Sequence, residues 1–231
     1  MTTNNSDPQG RATTNATTAE VDAAVSRAGA GDGVIDALHE ADVALSAEAG
    51  RLRDHPAVEA AGIASEIADQ PPAFSLAGTA AVAGLLTGRP RLAEGGARAF
   101  AALFLATQVK AAIKSQVTRT RPYKMLEDGE YEVRAGGPDD HPHNSFPSGH
   151  TADAFAAAAT IGRMAPEWRA PALGAAALIG LVQVPRATHH LADVVAGATL
   201  GLAAERVVDA AVRAGRAALR DKSAGKRRTR R

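Results

Sequence analysis

Polar and apolar positions divide the chain into a polar lead, an amphipathic stretch and a run of five apolar segments. Residues 1–30 are rich in Thr, Asn and Ala and almost without large apolar side chains, so they are expected to form a disordered tail. From residue 34 the pattern turns helical. VIDALHEADVALSAEAGRLRDH is amphipathic, with Asp36, Glu40 and Asp42 toward one end and Arg51 and Arg53 toward the other. Such a helix suits a membrane surface or a protein surface. Pro56 restarts the pattern, which ends at the Pro71-Pro72 break.

The apolar segments are 72–88, 97–113, 151–165, 170–184 and 191–208. Most have 15–18 residues, the lower edge for a hydrocarbon core of about 30 Å, which takes about 20 residues. Two arrangements fit, a membrane-embedded bundle and an Ala-rich soluble one. GATLG (Gly197, Gly201) is a GxxxG spacing suited to close helix contact in lipid. If the segments alternate across a bilayer, GRPR (88–91), APEWR (165–169) and the terminal KRRTRR share one side. The positive-inside rule makes that side cytoplasmic and leaves 114–150 and 185–190 on the other. The expected fold class is therefore all-α: a helical bundle, membrane-embedded, with about five core helices plus an N-terminal amphipathic helix. Its domain covers 31–212, and 213–231 form a basic tail.

Composition narrows the chemistry. The 231 residues suffice for one domain plus tails, and the absence of cysteine excludes disulfides, thiolate nucleophiles and Cys-ligated zinc. A net charge of +1 and 3% aromatic residues give no reason to expect nucleic acid. The N-terminus lacks the basic-then-apolar layout of a signal peptide, which disfavours export as a soluble periplasmic protein.

Three stretches carry candidate chemistry. In KSQVTRTRPY, Lys114 and Arg121 are seven apart and share a face if the helix continues, before Pro122 stops it. Two such cations attract an anion, and Arg grips phosphate with two parallel bonds; interfacial snorkelling is the other reading. In NSFPSGHT, Ser148 and Gly149 offer a hydroxyl and backbone N–H groups at a helix start, with His150 beside them to move a proton. A plain N-cap followed by an unrelated histidine fits the same letters. In PRATHHLADVVAG, His189 and Asp193 are four apart on one helical face, so the carboxylate can fix the ring tautomer and leave the other nitrogen as nucleophile. His190, three from Asp193, is the competitor, and a pair that merely stabilises the helix start is the alternative.

The order and spacing of these stretches resemble the type 2 phosphatidic acid phosphatase superfamily, which includes lipid phosphate phosphatases, bacterial acid phosphatases and vanadium haloperoxidases. Its pattern is KxxxxxxRP, PSGH, then SRxxxxxHxxxD. Lys114–Arg121–Pro122 and Pro147–Ser148–Gly149–His150 match in full, and His189 and Asp193 match the last half. The resemblance covers about residues 55–208. It departs at the Ser-Arg positions, which hold Val182 and Gln183; the nearest arginine is Arg186, three residues later beyond Pro185.

The resemblance implies cofactor-free, metal-free phosphoryl transfer. His189 attacks phosphorus to form a phosphohistidine, Asp193 orients it, and His150 protonates the leaving oxygen. Lys114, Arg121, Ser148, Gly149 and, in place of the missing arginine, Arg186 hold the phosphate oxygens. The implied substrate is a lipid or isoprenoid phosphate monoester or diphosphate. The implied location is the cell membrane, multi-pass, with the site facing the non-cytoplasmic side. A vanadate-dependent haloperoxidase-like enzyme and a non-catalytic anion-binding membrane protein are the alternatives. GGPDDHPHNS adds Asp139, Asp140, His141 and His143, conceivable metal ligands but more simply a solvated loop.

Overall fold

Alanine favours helix, and small side chains let helices approach closely; both properties shape this chain. The computed structural model describes residues 15–29, 31, 33–137 and 140–228. Among these residues the helices are α1 (Thr18–Ala28), α2 (Val34–Gly50), α3 (Pro56–Ser65), α4 (Gln70–Leu86), α5 (Pro90–Lys114), α6 (Pro122–Asp128), α7 (Gly149–Met164), α8 (Arg169–Val182) and α9 (Leu191–Arg228). A 3-10 turn, Glu66–Ala68, joins α3 to α4. Two short strands, β1 (Val117–Arg119) and β2 (Val133–Ala135), pair antiparallel with Val117 opposite Ala135.

The five apolar segments become α4, α5, α7, α8 and the first part of α9. Helix α7 lies among α5, α8 and α9, while α4 pairs with α5. The core is largely alanine: Ala73, Ala77, Ala102 and Ala156 surround Leu103, and Ala154, Ala158 and Ala176 form a second cluster with Ala68. Gly197 and Gly201 face the α7 backbone. A Cβ at Gly197 would sit 2.5 Å from the Ser148 carbonyl, and one at Gly201 would strike the Ala152 carbonyl. The GxxxG stripe is thus a backbone-to-backbone contact that sets where α7 begins relative to α9.

Several expectations are corrected. Residues 18–28, inside the stretch expected to be disordered, form α1; a Thr17–Glu20 capping box starts it, and Val21 and Ala24 bury against Val43, Ala47 and Met125. Two apolar positions were too few to signal it. Residues 1–14 and 30 lie outside the described residues. The Pro71-Pro72 pair opens α4 instead of only ending the preceding pattern, because a first-turn proline gives up an N–H that has no helical partner. Helix α9 runs on to Arg228 through most of the expected basic tail. Helix α5 ends at Lys114 and the chain enters β1, so Arg121 does not share a helical face with Lys114, and Pro122 begins α6.

None of the described helices is long and apolar enough to cross a membrane. Charges interrupt the apolar runs, and many of them turn inward. Arg98, 8% exposed, bonds Glu94 at 2.7 Å and Asp209 at 2.9 Å. Arg163 pairs with Glu205 and with Asp209. Large apolar side chains meanwhile face out, among them Leu86 at 82% and Leu178 at 71% exposure.

Candidate active site

The C-terminus of α5, the N-terminus of α7 and the turn before α9 meet around a cavity of about 340 Å³. Lys114, Arg121, Gly149, His150, Arg186 and His189 all line it. Six side chains or backbone positions spread over some 75 residues thus share one small volume.

Loop carbonyls brace the two cations of the first stretch. Lys114 Nζ donates to Asn144 O at 2.7 Å and to its Oδ1 at 3.0 Å. Arg121 donates to the carbonyls of His141 (3.0 Å), Thr188 (3.0 Å) and Asn144 (3.2 Å). The backbone fixes that loop, since Arg119 N and Arg121 N donate to His143 O and Pro142 O. β1 therefore does what the expected helical face was to do: it returns Arg121 to the end of α5.

At the α7 start, Gly149 lines the cavity and no side chain caps the helix, so its first N–H groups are available to an anion. A Cβ on Gly149 would lie 3.0 Å from Lys110 Nζ, so glycine makes room for that lysine. Ser148 is fully buried, and its hydroxyl accepts a bond from Thr151. Ser148 N donates to Asp193 O at 3.0 Å, tying the starts of α7 and α9 together.

His189 precedes α9 and Asp193 lies in its first turn. Nδ1 of His189 stands 3.6 Å from Asp193 Oδ2, an ion-pair distance longer than a hydrogen bond. Asp193 accepts bonds from Arg119 Nη1 (2.6 Å), Ser145 Oγ and His190 N (2.9 Å). Burial lowers the His189 pKa to about 4, reinforced by Arg121 and Lys114 and opposed by Asp193, so the ring is neutral near pH 7. His190 is fully buried outside the cavity. Its Nε2 meets Thr120 O at 3.0 Å, and its ring packs edge-on against Tyr131. Of the two adjacent histidines, His189, the one favoured in sequence, faces the cavity, and His190 does not line it.

Arg186 reaches the cavity through the turn 183–190. Its Nη2 pairs with Glu66 Oε1 at 2.9 Å, and Nη1 donates to Ser65 Oγ at 3.2 Å and Gln183 Oε1 at 3.4 Å. Gln183 is buried, donates to Ser65 and the Ile179 carbonyl, and accepts from Thr188, so it braces the turn that carries Arg186.

Three residues escaped sequence reasoning as members of the site. Lys110 lies one turn before Lys114 and lines the cavity, a spacing that could have flagged it. Arg119 was visible as a cation, but its bond to Asp193 was not. Glu66 lines the cavity and meets His150 across 84 positions, for which the sequence holds no signal. In the acidic loop, His143 Nδ1 bonds Asp140 at 2.9 Å, and Asp139 lies outside the described residues. Among the described residues no group of His, Asp or Glu converges as a metal site.

A second, apolar cavity of about 590 Å³ lies between α4, α5, α7 and α8, lined by residues such as Leu76, Leu103, Ala154 and Ile179. Asp153 borders it and pairs with Lys110 at 3.1 Å, so one buried ion pair separates it from the first cavity.

A family model described as the PAP2 superfamily matches residues 95–214, more than half of the chain. Among solved structures, the crystal structure of Aquifex aeolicus LpxE is similar, with 20% identity over 72% of this chain and 93% of that one and a TM-score of 0.53. So is that of the first transmembrane PAP2 type phosphatidylglycerolphosphate phosphatase from Bacillus subtilis, with 19% identity over 83% and 94% and a TM-score of 0.57. At these identities the likeness is one of fold. No curated protein matches the chain.

Proposed function

The chain belongs to the PAP2 superfamily, and from that premise we propose that it is a metal-independent phosphatase acting on a lipid or isoprenoid phosphate through a phosphohistidine. The observation that carries this reading is the shared cavity of Lys114, Arg121, Gly149, His150, Arg186 and His189. A phosphate ester places spreading negative charge there, and catalysis of its transfer needs fixed cations and N–H donors around that charge.

His189, neutral in its buried setting, attacks phosphorus with Nε2 while Nδ1 faces Asp193. The P–O bond to the leaving group breaks, and His150 gives that oxygen a proton. Water then attacks the phosphohistidine, with His150, now neutral, accepting its proton; phosphate departs and both rings return to their starting states. Lys114, Arg121, Arg186 and the α7 N-terminus hold the phosphoryl oxygens, and Arg186 takes the place of the family arginine absent at Gln183. Ser148, expected to hold phosphate, is buried outside the cavity, its hydroxyl accepting from Thr151 and its N–H donating to Asp193 O, so it fixes the start of α7 instead.

Two observations support a lipid substrate and a membrane setting. The apolar cavity adjoins the anion site and suits a hydrocarbon tail. The bundle also turns ion pairs inward and large apolar side chains outward, the arrangement expected of a protein in contact with acyl chains. We place the anion site on the non-cytoplasmic side, opposite the basic turns at 88–91 and 165–169.

The decisive experiment is a phosphate-release panel on purified, detergent-solubilised protein, comparing lipid phosphates with small soluble esters and using vanadate as inhibitor. Vanadate-sensitive release that favours lipid esters is expected. No release above background would overturn the reading in favour of an anion-binding protein, and peroxide-dependent bromination would favour the haloperoxidase alternative.

A further inference from the structure

We propose that Glu66 is a positioning residue that aims both His150 and Arg186 at the bound phosphate. The site then holds two carboxylate–imidazole pairs, Asp193 with His189 and Glu66 with His150. The inference rests on the assignment of His150 as proton donor made above.

Glu66 stands in the 3-10 turn between α3 and α4, outside the segment matched to the family. Its Oε2 is 3.2 Å from His150 Nε2, and its Oε1 is 2.9 Å from Arg186 Nη2. One carboxylate therefore touches the proton donor and the arginine that replaces the missing family cation. Its neighbour Ser65 bonds both Arg186 and Gln183. Gly62 brings α3 against the same guanidinium, since a Cβ there would lie 2.6 Å from Arg186 Nε. The α3 end and the following turn thus form a seat for Arg186, a device the motif-bearing part of the chain does not supply.

The surrounding charge explains why His150 needs this partner. Lys110 and Lys114 from α5, Arg121 from the turn into α6, and Arg186 present cations to the cavity, with His141 and His189 as its other imidazoles. Of the neighbouring acids, Asp153 is taken by Lys110, and Asp69 lines the same cavity. Glu66 is the carboxylate that reaches the His150 ring. It holds one ring nitrogen and leaves the other for the leaving oxygen. The side chain of Glu66 is 46% exposed, so the pair contributes little to stability. Its removal acts instead on the orientation of the two groups it touches. Glu66 does not touch the reacting atoms: the proton passes from His150 to the leaving oxygen as the P–O electron pair departs with that oxygen.

A leaving-group comparison tests this. Decyl phosphate needs a proton on its departing alkoxide, whereas 4-nitrophenyl phosphate leaves as a stable anion without one. In Glu66→Gln and Glu66→Ala, kcat/KM for decyl phosphate is expected to fall about 10–100-fold further than for 4-nitrophenyl phosphate, a share of a general acid's worth. His150→Ala should show the same bias at least as strongly, and the double variant Glu66→Ala/His150→Ala should add nothing to it. Vanadate inhibition should weaken in both Glu66 variants and in Arg186→Gln, but Arg186→Gln should leave the ratio of the two substrates unchanged. A merely structural role would lower both substrates alike. If wild type hydrolyses both esters and Glu66→Gln loses both equally, or neither, the inference is overturned alone. If wild type hydrolyses neither, the functional reading falls and the inference with it.

Discussion

Arg119 Nη1 meets Asp193 Oδ1 at 2.6 Å, across 74 positions, with both side chains buried. The same guanidinium reaches Asp42 on α2 at 2.6 Å through Nη2. One arginine thus clamps the carboxylate behind His189 to a helix from the N-terminal part of the chain. Breaking a buried pair strands its partner, so Arg119→Ala is expected to cost about 3–5 kcal/mol of stability. Arg119→Lys keeps the charge but not two directed bonds, and should fall between. Chemical denaturation of the three proteins checks the order; an Arg119→Ala protein as stable as wild type would refute it.

The two cavity histidines should fail differently. His189→Ala removes the nucleophile and with it any covalent phosphoenzyme. His150→Ala removes a proton donor and is expected to slow turnover of alkyl phosphates about 10²–10⁴-fold. Acid-quenched labelling with a radioactive phosphate ester reads this directly. Label surviving in His189→Ala would point to His190 in spite of its burial.

Arg186 and Gln183 test the substitution within the third motif. Arg186→Ala is expected to weaken vanadate binding and lower kcat/KM about tenfold or more, as loss of a charged hydrogen bond to phosphate does. Gln183→Arg should not restore the family pattern, because position 183 is 1% exposed and its amide is already bonded to Ser65 and Ile179. A fully active Arg186→Ala enzyme would remove Arg186 from the site.

Stability should fall in mild acid. Burial lowers the pKa of both His189 and His190 from 6.5 to about 4. Between those values the unfolded chain binds more protons than the folded one, so folding stability rises with pH there. The contribution is complete above pH 6.5 and is lost as pH falls through about 4. Melting temperatures measured across that range should drop toward acid, and His190→Gln should flatten the slope. A flat wild-type profile would contradict the buried neutral rings.

Close contact between α7 and α9 should tolerate no side chain at Gly201, where a Cβ would strike the Ala152 carbonyl. Gly201→Leu is expected to displace the α7 start from His189 and abolish activity, whereas Gly215→Ala, with open space around it, should be silent. Comparable activity in the two variants, measured by phosphate release, would show that this packing does not set the site.

The sequence by itself determined the five apolar helical segments, the small-residue stripe and the ordered motif residues, because these are local patterns of side-chain size, spacing and type. It favoured His189 over His190 by spacing but could not show which ring faces the cavity, and it let Arg121 share a face with Lys114 only if the helix continued, whereas that helix ends at Lys114. It could not bring Glu66 to His150, or Arg119 to Asp193, since nothing at either position of each pair names the other. Tertiary structure decided those points. Burial and charge pairing depend on which surfaces meet, and they meet here because alanine and glycine faces let α7 lie close against α9 while the β1 turn returns Arg121 to the end of α5.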